Sequence, residues 1–145
     1  MRQASVIVYE RTALWGPALR RHLPAEIRVR ETRGLAECAV ELAAAPESML
    51  VVEVTRENLA RVLALLGELG RTFPLARAVV VADRGFDRVE GLLREAGAVH
   101  FTVSPRSLPG WTRSVVRHFE RLPAPRANLA ADVWNTLPWS DVATT

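Results

Sequence analysis

Lysine is absent from this chain: all 19 basic residues are Arg. The sequence pI of 10.3 therefore overstates a net charge of only +3. The Arg residues are also spread along the chain, several of them beside an acid, as in Glu10-Arg11, Arg56-Glu57 and Arg94-Glu95. That is a solvated mixed-charge surface and not a basic stripe, so direct nucleic-acid binding is not expected. Cysteine is nearly absent too. A lone Cys38 makes no internal disulfide, and a cytoplasmic location is the simplest expectation. No apolar run approaches the roughly 20 residues of a membrane span. The opening MRQASVIVYE enters a strand at once, without the apolar core of a signal peptide, so none is expected.

Motifs for small-molecule chemistry are missing as well. The chain has no GxGxxG and no Walker A sequence. His22, His100, His118 and Cys38 match no metal-ligand spacing, and no metal or cofactor is expected. Ser104 lies near His100 but lacks an orienting acid and an oxyanion hole, so no nucleophilic triad is expected. The chain is read as a non-enzyme.

What is present is alternation. With 49% hydrophobic and 24% charged residues, the 145-residue chain has the composition of one globular domain. Such a domain buries roughly two thirds of its unfolded surface without a staple. Five β-rich runs cover 5–10, 27–32, 49–54, 77–82 and 98–103. Helical patterns cover 12–23, 34–45, 57–70, 86–96 and about 109–122. Pro17 predicts a kink in the first helix or a start near Gly16. Strands alternating with helices imply a parallel sheet. The Val-rich third and fourth runs are strands covered on both faces, and the alternating second run is an edge. The strand order 2-1-3-4-5 follows, a flavodoxin-like three-layer sandwich over residues 1–122. Residues 123–145 read as a linker and a short amphipathic tail. In it Leu129, Val133, Trp134 and Leu137 share a helical face, with Trp139 beyond Pro138.

In such sheets function gathers at the carboxyl ends of the strands. Those ends carry Tyr9 and Glu10, Glu53, Ala82 and Asp83, then Ser104 and Pro105. The arrangement over about residues 4–122 resembles the receiver domain of bacterial response regulators. GAVHFTVSPRSL places Gly97, Ala98, Phe101 and Pro105 in register with that family's fifth-strand pattern, and MLVVEV matches the strand that ends in its phosphoacceptor Asp. The resemblance makes Phe101 the switch aromatic and implies a cis peptide before Pro105.

The departures are chemical. The acid pair is reduced to Glu10 after Tyr9, the acceptor position is Glu53, the hydroxyl position is Ala82 and the Lys position is Ser104. Mg²⁺ demands near-octahedral oxygen geometry. Each Glu is one methylene longer than Asp, and a displacement of about 1 Å can cost about a hundredfold in rate. Without Lys, nothing evident neutralises the phosphoryl oxygens.

The resemblance thus implies a degenerate receiver (a pseudo-receiver) acting in cytoplasmic signalling as a protein-interaction module. Two alternatives stay open: an atypical Mg²⁺- or phosphorylation-responsive receiver using Glu10 and Glu53, and a small α/β enzyme using the same pocket. Glu53 itself reads as a structural carboxylate, a mimic of the phosphorylated state, or an acceptor or metal ligand. If Glu10 and Glu53 lie together, Arg11 or Arg56 could relieve their repulsion. Candidate partner contacts are Trp111, which by the resemblance lies on the face receivers often use for dimers and otherwise packs in the domain, and Val133, Trp134, Leu137 and Trp139. The tail either folds onto its own domain or docks on a partner.

Overall fold

The computed structural model describes residues 3–122. The expectations for Val133, Trp134, Leu137 and Trp139 lie outside the described residues. Five strands form one parallel sheet: β1 (Val6–Tyr9), β2 (Val29–Thr32), β3 (Met49–Val54), β4 (Arg77–Ala82) and β5 (Ala98–Thr102). Their order is β2-β1-β3-β4-β5, the one the sequence predicts. The helices are α1 (Trp15–His22), α2 (Leu35–Ala44), α3 (Leu59–Thr72), α4 (Glu90–Ala96) and α5 (Leu108–Arg121). No helix among them is long and apolar enough to cross a membrane.

The period-2 alternation of the strands divides the interior into two cores. Ile7, Leu50, Val52, Val54, Ala78 and Val80 face Cys38 and Leu42 of α2, Leu66 of α3 and Leu93 of α4. The intervening residues Val6, Val8, Met49, Val51, Val79 and Val81 face Trp15 and Leu19 of α1 and Trp111 and Val115 of α5. Every residue of β3 is buried, because helices cover both of its faces. The same parity sends Glu53, at the far end of β3, toward the α1 and α5 side.

Several boundaries differ from the sequence reading for local reasons. The first helix begins at Trp15 rather than at residue 12, so Pro17 falls in the first turn. There its missing N–H costs no helical hydrogen bond. The fourth helical segment divides into a 3-10 stretch, Arg84–Val89, and the shorter α4. Gly97 ends α4 at φ +126°, a conformation that glycine adopts without strain. The peptide before Pro105 is trans, as are all others among the described residues, which corrects the expected cis bond. Pro105 opens a 3-10 turn, Pro105–Ser107, whose first amide is held by the Ser104 side chain.

Candidate functional site

The loop from β1 to α1, residues 10–14, crosses the strand ends, and two carboxylates hold it. Leu14 precedes the first turn of α1 but offers no side-chain cap. Glu10 supplies the acceptor from upstream instead. Its Oε2 accepts from the Leu14 amide at 3.1 Å and the Trp15 amide at 2.6 Å, and its Oε1 accepts from the Gly16 amide at 2.8 Å. A carboxylate there satisfies free N–H groups and complements the positive end of the helix. Glu53, only 4% exposed, holds the other end of the loop. Its Oε2 accepts from the Arg11 amide at 2.6 Å, the Thr12 amide at 3.3 Å and the Thr12 hydroxyl at 3.4 Å.

The cross-loop bonds thus join residues 41 and 42 positions apart. It is the backbone amide of Arg11, and not its guanidinium, that meets Glu53. Between the two anchors Ala13 takes φ +52°, a conformation that costs an L-residue about 1–2 kcal/mol. Gly16 is buried beneath the site. A β-carbon there would clash with the Glu31 carboxylate and lie 3.0 Å from Glu10 Oε1. Glu31 in turn pairs with Arg20 at 3.3 Å.

The loop after β3 is fastened as firmly. Asn58 Oδ1 accepts from the Thr55 amide at 2.7 Å, and Thr55 Oγ1 accepts from the Asn58 amide at 3.3 Å. Asn58 Nδ2 donates to the Glu53 carbonyl at 2.9 Å. This reciprocal pair closes the turn that leads into α3, whose cap residue Asn58 makes no side-chain bond to the helix itself, and the T-x-x-N spacing at 55–58 is a signal from which such a turn is legible. Glu57, exposed in the same loop, is held below the ordinary carboxylate range. Its own backbone amide contributes most, then the Thr55 hydroxyl, with Arg11 and Arg56 adding to the effect.

The β4 and β5 ends are different. Ala82 is buried and Asp83 exposed. Thr102 Oγ1 donates to the Ser104 carbonyl at 3.1 Å, and Ser104 Oγ accepts from the Arg106 amide at 3.3 Å. These are bonds between near neighbours in sequence, which form a turn wherever Ser or Thr stands there. Phe101 is half-buried against the α2–α4 core, beside Val80 of β4. Tyr9 is half-buried against the same core. Trp111 is 4% exposed and packed among the α1 and α5 side chains. As folded it is a core residue, in line with ordinary packing, the other reading of this position.

Mg²⁺, which the receiver resemblance would bring to this place, does not fit the residues as they are arranged. Three of the four carboxylate oxygens that would be its ligands, Glu10 Oε1 and Oε2 and Glu53 Oε2, already face N–H donors, whose positive ends would repel a cation. Among the described residues no group of three or more His, Cys, Asp and Glu side chains could hold a metal ion. The three His residues stand apart. His22 Nδ1 bonds the Ala18 carbonyl at 2.8 Å, and His118 Nε2 bonds the Glu47 carbonyl at 2.7 Å. His100, half-buried on β5, has its pKa lowered by burial and then by the Arg94 charge. Cys38 is buried and its thiol pKa is raised, mainly by that burial.

No family model matches this chain, and no curated protein matches it. Solved structures do. A response regulator from Thermotoga maritima superposes with a TM-score of 0.68 at 18% identity, over 82% of this chain and 99% of that one. The fold is receiver-like. TadZ, a CheY-like protein from Pseudomonas aeruginosa, gives a TM-score of 0.60 at 23% identity, over 86% of this chain and 98% of its own. CpaE from Burkholderia thailandensis, described as a pilus assembly protein, gives 0.59 at 19% identity, over 83% and 100%. At these identities the shared property is the receiver-like fold.

Proposed function

We propose that this chain is a non-enzymatic, receiver-like protein-interaction module. Its strand-end carboxylates fasten the first loop and do not serve a phosphorylation switch. The observation that carries this reading is the engagement of Glu10 and Glu53 with six donors of residues 11–16. A phosphoryl group arriving at Glu53 Oε2 would have to displace the Arg11 and Thr12 amides. Neither Ala82 nor Ser104 supplies the hydroxyl and the cation that would compensate. What the fold then offers a partner is surface: α4, β5, α5 and the tail. The likeness to the pilus assembly protein CpaE favours a bacterial assembly as the setting.

The test combines chemistry with contact mapping. Intact mass of the full chain after treatment with acetyl phosphate and Mg²⁺ should be unchanged. Cross-linking in the source cells should give partner contacts on α4, β5 and α5, equally in wild type and Glu53→Gln. An acyl phosphate on Glu53, or contacts that depend on the phosphodonor, would overturn the proposal.

A further inference from the structure

A hollow of about 570 Å³ lies between the end of α1 and the length of α5. Pro24, Pro109 and Val116 give it apolar lining, and His22, Arg113 and Arg117 give it a basic character. Among the described residues Glu120 is the one acid that lines it, at the end where α5 runs out. Arg113 and Arg117 are exposed. We propose that this groove is the docking site of the chain's own residues 128–137, and that docking withholds the tail from partners.

Three observations identify that occupant. The first is position: α5 ends at Arg121, at the Glu120 end of the groove, so the tail starts where the groove does. The second is length. At about 1.5 Å per residue, Pro109 to Glu120 spans about 16 Å, and residues 128–137 would span about 14 Å as a helix. Residues 123–127, extended, reach up to about 17 Å, enough for the chain to turn back antiparallel to α5. The third is chemistry. Leu129, Val133, Trp134 and Leu137 stand at the spacing of one helical face, which would meet the proline and valine lining, and 128–137 carries Asp132 and no basic residue. A basic groove with an apolar lining suits such a segment.

Tethering raises the tail's effective concentration to about the millimolar range, so a modest intrinsic affinity keeps the groove filled. A partner that takes the Trp134 face must then compete with α5. This regulation is independent of the loop that Glu10 and Glu53 hold.

Hydrogen exchange on the full chain tests the proposal. The amides of 128–137 should exchange at least about tenfold more slowly than in a free peptide of that sequence. Arg113→Glu combined with Arg117→Glu should abolish the protection, and adding Asp132→Arg should restore part of it. Because both Arg residues are exposed, the domain should stay folded, which an unreactive Cys38 thiol would verify. Unprotected tail amides in the wild type would overturn the proposal, as would protection indifferent to the groove charges. Protection that appears only as protein concentration rises would assign the groove to a second copy and overturn it equally.

Discussion

The two halves of the strand-end surface are built in opposite ways. At the β1 and β3 ends, buried or half-buried carboxylates bind backbone amides, and the Glu53 contacts join residues some forty positions apart. At the β4 and β5 ends, side chains bond only their near neighbours: Thr102 to Ser104, and Ser104 to Arg106. Only the first half is tied across the fold by its side chains. Long-range bonds to a charged, buried acceptor resist folding entropy that a local turn does not have to meet. The first half should therefore govern stability, and the second should tolerate change.

Substitutions can break that contrast. Glu53→Ala removes the acceptor of three donors and frees a strained loop. A loss of about 2–3 kcal/mol is expected by chemical denaturation, and a loss within error would mean that the loop does not depend on Glu53. Glu10→Ala uncaps α1 and should cost about 1–2 kcal/mol by the same measurement. On the other half, Ser104→Ala removes one bond within a short turn, and no more than about 0.5 kcal/mol should be lost. A cost equal to that of Glu10→Ala would erase the comparison.

His100, on β5, adds a small pH effect whose sign is fixed. Its folded pKa lies below the ordinary histidine value of 6.5, so at acidic pH the unfolded chain binds the proton more readily than the folded one. Stability should fall as pH drops from about 6.5 through the lowered folded value, and level off below it. His100→Gln should flatten that part of a melting-temperature profile, and an unchanged profile would assign the effect to other groups.

Much of the fold was legible because its signals are periodic. The Val-rich runs of β3 and β4 announce strands covered on both sides, and the order of the sheet follows from the handedness of the crossovers. The strand-end positions were legible too, since register alone puts Glu10 and Glu53 there. What those carboxylates bond was not. The start of α1 is fixed by a side chain several residues upstream, while Leu14 at the cap position has no polar side chain to offer. Thr12 carries no sequence signal at all, because its role exists only once β3 lies beside β1. The place of Trp111 stayed open because an aromatic at a helix start is equally compatible with surface and core. The parity of the neighbouring strands, which buries it, emerges only when the layers are assembled.

The central claim is that backbone amides, and not a cation or a phosphoryl group, are the partners of Glu10 and Glu53. Amide NMR resonances of Arg11, Thr12, Trp15 and Gly16 report this directly during titration with Mg²⁺ and beryllofluoride, against a control of matched ionic strength. The account predicts no saturable shift at these four amides. A saturable, Mg²⁺-dependent shift that vanishes in Glu53→Gln would contradict it.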